Sequence, residues 1–207
     1  MSGPPCVQVV DDDPSMRTSL ARLLSGAGYS YVLHASGEEL LAAAGPDMTG
    51  CLLLDLRLPG LSGLELQEAL LDRGCLAPVI FLTAHGEVEA GVRAMKRGAV
   101  DFLEKPVTAE ALLSAVATAV AMDGAARQFR AELSTLKACV ATLSPREQDV
   151  WLRVVAGQLN KQIAFDLGIV ERTVKLHRRS AMKKLRAESM ADLVRLAERL
   201  GLSLDKA

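Results

Sequence analysis

The sequence predicts an α/β domain built on a five-stranded parallel sheet, followed by an all-α domain. Three observations carry this. Through residue 122, short continuous apolar runs alternate with amphipathic helical patterns. From Asp123 onward every pattern is helical. The charge also reverses there: 15 acidic and 8 basic residues come before Asp123, and 10 acidic and 16 basic follow from it. Blocks of opposite charge imply two units with different partners, the second suited to a polyanion.

The strands are expected at Cys6–Val10, Tyr31–Ala35, Cys51–Leu54, Pro78–Leu82 and Asp101–Leu103. Their apolar residues run on rather than alternate, as in a sheet covered on both faces. Helices are expected near 15–26, 38–44, 63–72, 87–97 and 109–121, with breaks at Gly37, Gly74, Gly98 and Pro106. Five βα units in this length fit a flavodoxin-like, doubly wound domain, in which functional groups gather beyond the carboxyl ends of the strands. Residues 123–142 read as a long helical linker, in which Phe129, Leu133, Leu136, Val140 and Leu143 form a heptad-like stripe. That stripe suits a coiled-coil seam and packing on the next domain equally well. Four more helices are expected near 145–157, 160–167, 171–185 and 190–200. Ser144-Pro145-Arg146-Glu147 has the composition of a capping box with proline at the first helical position.

Composition narrows the classes. No apolar run is expected to reach the ~20 residues of a membrane span, and MSGPP lacks a signal-peptide pattern. Cys6, Cys51, Cys75 and Cys139 are scattered, without a CxxC pair or a nearby histidine at ligand spacing. They are expected to be reduced thiols in a cytoplasmic protein.

The chemistry lies at the strand ends. The first strand runs into Asp11, Asp12 and Asp13, and the third, CLLLD, into Asp55. The fourth reaches Thr83, and the fifth is followed by Lys105-Pro106. Parallel strands bring these groups to one edge. Crowded carboxylates repel and call for a hard divalent cation, for which Mg²⁺ is the natural choice. Cation, ammonium and hydroxyl around a carboxylate are what phosphoryl transfer onto that carboxylate requires. An aspartate-nucleophile phosphohydrolase often carries an acid/base aspartate two positions on; here that position is Arg57.

VVDDDPSMRTSL, LLLDLRLPGLSGLEL, VIFLTAHG and RAMKRGAVDFLEKP resemble, in order and spacing, the receiver domain of two-component response regulators. The resemblance implies that Asp55 accepts a phosphoryl group from a sensor histidine kinase. It implies that Asp11, Asp12, Asp55 and the backbone carbonyl of Arg57 hold Mg²⁺. It further implies that Lys105 pairs with the acceptor, that Thr83 turns toward the phosphoryl group, and that the ring of Phe102 swings inward on activation. A cis Lys105-Pro106 bond is common in the family it resembles. Glu89 departs from that family, which often has proline there.

The second half carries NKQIAFDLGIVERTVKLHRRSAMKKL, two helices joined at Gly168. The later helix bears Arg172, Lys175, Arg178, Arg179, Lys183 and Lys184, as a helix-turn-helix entering a major groove would. From Leu143 to Leu200 the chain resembles the LuxR-type helix-turn-helix, and the whole resembles the FixJ-like and NarL-like response regulators. On that resemblance Lys175, Leu176 and Arg179 face base edges, while Lys161, Arg172, Thr173, His177 and Arg178 contact phosphates. Val170 stands where the family usually has a capping serine. The expected domains are a receiver at 1–122, the linker, and a DNA-binding domain at 143–207. The expected function is regulation of transcription without enzymatic turnover beyond slow autodephosphorylation. The partners are double-stranded promoter DNA, the kinase, RNA polymerase and a second copy of the chain paired through helix 190–200, with no membrane.

Overall fold

The computed structural model describes residues 5–84 and 88–202. They fall into two compact units that divide between Arg127 and Gln128. In the first unit β1 (Cys6–Val10), β2 (Ser30–His34), β3 (Gly50–Asp55), β4 (Val79–Thr83) and β5 (Asp101–Glu104) form one parallel sheet in the order β2-β1-β3-β4-β5. The five strands expected from the apolar runs are all present. The second starts and ends one residue before the expected span, and the third includes Asp55 itself.

The helices of this unit are α1 (Pro14–Gly26), α2 (Gly37–Ala43), α3 (Gly63–Asp72), α4 (Val88–Lys96) and α5, which begins at Ala109. Leu52 and Leu54 of β3 pack with Leu66 and Leu70 on one face of the sheet. Leu53 points to the other face, beside Leu20, Leu24, Leu112 and Val116. Burial on both faces explains why the β3 run is leucine throughout. Side chains alone set several starts. Asp13 accepts a hydrogen bond from the Ser15 N–H at 2.8 Å, with Pro14 at the first helical position. Ser62 and Glu65 form a capping box at α3. The start expected for the fourth helix near residue 87 lies outside the described residues.

One expectation is corrected. The fifth helix does not stop near 121 with a separate linker after it; α5 runs unbroken from Ala109 to Ala141. No proline interrupts that stretch, and Asp123, assigned by charge to the second half, is buried in the first unit. Its Oδ2 accepts the Gly50 N–H at 2.9 Å where β3 begins. Arg127 continues the attachment, its Nη1 donating to the Met48 carbonyl at 3.4 Å. Replacing Asp123 with Ala would strand that buried N–H. A loss of about 1–3 kcal/mol is expected, checked by urea denaturation and by faster hydrogen exchange at Gly50.

A second expectation is corrected by the same helix. α5 contains an 18-residue window of mean hydropathy 1.3, long and apolar enough to cross a membrane. Leu112, Ala115, Val116 and Ala119 pack in the core beside β1, β3 and β4, so the apolarity of that face serves the core of the first unit.

The second unit contains α6 (Pro145–Val155), α7 (Asn160–Leu167), α8 (Glu171–Leu185) and α9 (Met190–Arg199). Val150, Trp151, Val154, Ile163, Val174, Ala181, Leu193 and Ala197 form its core. Cys139, Val140 and Leu143 pack against that core, so the far end of the stripe is occupied within the unit, while Phe129 stays exposed. Gly168 ends α7 with φ 64°, the left-handed turn that lets the chain reverse into α8. Val170 precedes α8 with no side-chain cap, as its residue type dictates.

Candidate phosphoacceptor site and DNA-reading helix

Sheet register assembles the site. Val10 pairs with Leu54, so Asp11 and Asp55 emerge side by side. Asp55 pairs with Leu82 and Thr83 with Glu104, which puts Thr83 and Lys105 at the same edge. The Lys105 Nζ lies 2.7 Å from Asp55 Oδ2 and 2.8 Å from Asp11 Oδ2, bridging two acids that stand far apart in the chain. The other Asp55 oxygen accepts the Arg57 N–H at 2.9 Å, and the other Asp11 oxygen accepts the Asp13 N–H at 2.9 Å. Asp11 and Asp55 are buried and Asp12 is exposed. Asp11, Asp12 and Asp55 each offer one carboxylate oxygen within 4.8 Å of the others. Three hard oxygen donors that close fit a small divalent cation.

Burial pushes the Asp11 carboxyl above its usual value, against the opposing pull of Lys105 and the Asp13 N–H. Burial also works against the Lys105 ammonium, but its bonds to Asp11 and Asp55 outweigh it and its pKa is raised. The ion pairs therefore keep the lysine charged at the mouth of the site.

Thr83 is buried, its hydroxyl donating to the Ala84 carbonyl at 3.1 Å. Phe102 lies on β5, half-buried against the core that includes Phe81 and Ala94. The Lys105-Pro106 bond is cis, as the resemblance implied. One contributor escaped sequence reading: Arg17 on α1 donates from Nη1 to the main-chain carbonyl of Asp11 at 2.7 Å. It holds the end of β1 without consuming a carboxylate oxygen. Its spacing from Asp11 is not a motif, so nothing short of the fold reveals the bond.

In the second unit Val174, Ala181 and Leu185 turn α8 inward. Arg172, Lys175, Leu176 and Arg179 are exposed, Thr173, His177 and Arg178 half-exposed, and Lys161 is exposed on α7. Lys184 departs from the expected basic face. It bonds Glu147 Oε2 at 2.6 Å and the Thr142 carbonyl at 3.0 Å, and so serves packing.

Comparison with known proteins decides the family. Residues 7–117 match the response regulator receiver domain, and residues 141–197 match the luxR family of bacterial regulatory proteins. The chain is a two-component response regulator. This response regulator is 49% identical to nodulation protein W of Bradyrhizobium diazoefficiens, over 95% of its own length and 87% of that protein. It is 42% identical to the transcriptional regulatory protein FixJ of Azorhizobium caulinodans, over 95% of its length and 93% of that protein. The structure of the response regulator StyR superposes with a TM-score of 0.87 at 43% identity, covering 95% of this chain and all of that one. The response regulator thus pairs a receiver with a LuxR-type DNA-binding domain.

Proposed function

We propose that a sensor histidine kinase phosphorylates this response regulator on Asp55, and that phosphorylation pairs two copies on promoter DNA. The observation that carries the reading is Lys105, held at 2.7 Å from Asp55 and 2.8 Å from Asp11. An ammonium fixed there neutralises charge as a phosphoryl group arrives. An Asp55 oxygen attacks the phosphorus of the kinase phosphohistidine. The O–P bond forms as the N–P bond breaks, and the imidazole leaves with a proton from solvent. Asp11, Asp12, Asp55 and the Arg57 carbonyl would hold Mg²⁺, which when bound neutralises the phosphoryl oxygens. Lys105 then pairs with the phosphoryl group, and the Thr83 hydroxyl turns from the Ala84 carbonyl to a phosphoryl oxygen. Phe102, whose ring already lies against α4 at Gly91, packs further inward there, which remodels the surface at α4 and β5. Turnover is limited to slow autodephosphorylation.

In the DNA-binding domain, taken as 143–207, Lys175, Leu176 and Arg179 face base edges. Lys161, Arg172, Thr173, His177 and Arg178 meet phosphates, and α9 supplies the contact between copies. The chain works in the cytoplasm, where kinase, promoter and RNA polymerase meet. Sedimentation with and without acetyl phosphate and Mg²⁺, followed by selection of bound DNA from a random pool, tests the scheme. Equal size and equal operator affinity in both conditions would leave only a constitutive DNA-binding protein. Within the selected site, Arg179→Ala is expected to cost about 1–3 kcal/mol and relax one or two base positions, whereas Arg178→Ala should weaken all sequences alike and reduce the salt slope by about 1. Quantitative binding over a salt series distinguishes them.

A further inference from the structure

Gly91 sits within α4 and is buried. Its backbone is helical rather than left-handed, so nothing in its φ calls for glycine. Glycine inside a helix costs about 1 kcal/mol relative to alanine. The structure shows what occupies the space. A Cβ on Gly91 would lie 2.8 Å from Cε1, 3.0 Å from Cζ and 3.1 Å from Cδ1 of Phe102. Carbon atoms in good contact stand about 3.5–4.0 Å apart. One edge of the ring thus lies directly on the α4 backbone, in a seat that a single methyl group would close. The ring is the movable partner, since its outer atoms make the contact and its residue is only half-buried. Phe102 packs against the core that also holds Phe81, Ala94 and Ala99.

We propose that Gly91 is a positioning residue for the switch: it opens the seat that Phe102 takes against α4, and position 91 thereby sets how readily the receiver reaches its pairing state. This rests on the reading of Phe102 as the ring that packs inward on phosphorylation. With glycine, the inward ring meets no steric barrier from α4. With alanine, the ring must withdraw toward solvent, and phosphorylation must work against the overlap.

The test uses the full chain and Gly91→Ala, a change that favours the helix and leaves the acidic site untouched. The chain holds four phenylalanines, so 4-fluorophenylalanine labelling yields four resolvable signals, and Phe102→Leu identifies the one that matters. In Gly91→Ala the Phe102 signal is expected to move more than the other three, without phosphodonor. Sedimentation with acetyl phosphate and Mg²⁺ should show pairing weakened about tenfold, equivalent to 1.4 kcal/mol, while phosphoryl incorporation at Asp55 keeps its wild-type rate. In the Phe102→Leu background the same substitution should change pairing by less than about twofold, because the shorter side chain vacates the seat. A stationary Phe102 signal, unchanged pairing, or an undiminished loss in the Phe102→Leu background would each overturn the proposal. A wild-type chain that takes no phosphoryl group would instead overturn the reading of Asp55, and the fluorine signal would still decide whether Gly91 seats the ring.

Discussion

Replacing Asp55 with Asn is expected to abolish phosphoryl incorporation, a drop of more than about 1000-fold to background. The carboxylamide preserves the shape of the side chain but not its anionic oxygens, so no nucleophile remains facing the phosphorus. Lys105 keeps its bond to Asp11 at 2.8 Å, which holds the edge of the sheet together in the variant. The fold therefore persists, and the loss reads chemistry rather than unfolding. Incubation with labelled acetyl phosphate and Mg²⁺ checks this, and labelling of the Asn form equal to wild type would exclude Asp55 as acceptor. The same variant should show no gain of pairing or operator affinity when phosphodonor is added. Retention of that gain would place the switch elsewhere.

Replacing Glu147 with Ala is expected to cost the DNA-binding unit about 2–4 kcal/mol. The carboxylate is buried and accepts three hydrogen bonds at once, joining the start of α6 to α8. It accepts the Ser144 N–H at 2.7 Å, closing the capping box of α6, the Ser180 hydroxyl at 2.6 Å and the Lys184 ammonium at 2.6 Å. Truncation opens the capping box by removing the acceptor of the Ser144 N–H, takes the acceptor from the Ser180 hydroxyl, and leaves Lys184 with the Thr142 carbonyl alone. Lys184, partly open to water, recovers some of its solvation, which holds the cost below that of a sealed ion pair. Trp151 is the only tryptophan and lies fully buried in this unit, so its fluorescence in urea reads the effect without interference from the receiver. The same group sets an acid dependence. Lys184, Ser180 and the Ser144 N–H hold the Glu147 carboxyl at about 2, below the ordinary 4.5. A depressed folded-state pKa contributes stability that is complete above about pH 4.5 and is lost as pH falls toward 2. Glu147→Gln should remove that part of the acid slope, and a slope identical to wild type would refute the role.

Much of the receiver is legible in the sequence because its signals are local. The apolar runs name the strands, and the break at Pro59-Gly60 after CLLLDLRL marks a charged residue delivered to a strand end. Ser144 is recognisable as a cap, since it bonds the N–H of a residue only three positions away. Charge and pattern place Asp123 in the wrong half because the stretches on either side of it are both helical. Only its bond to Gly50, 73 residues distant, attaches it to the sheet. Lys184 misleads for a related reason. On a helical wheel it belongs to the basic block of α8, and nothing local shows that Glu147 lies beneath it. Arg17 and Gly91 are not legible at all, because each acts through one contact with an atom that chain spacing does not predict.

The residues by themselves determined the two-part organisation, the parallel sheet, and the set of aspartates, threonine and lysine at its edge. Periodicity and capping act over a few residues, so they are written into the order of the chain. Tertiary structure alone decided which oxygen of Asp55 meets Lys105, which cation of α8 turns inward, where the receiver's last helix ends, and that the Phe102 ring rests on Gly91. Those outcomes depend on distances of a few tenths of an ångström between atoms far apart in sequence, and close packing, not local preference, sets them.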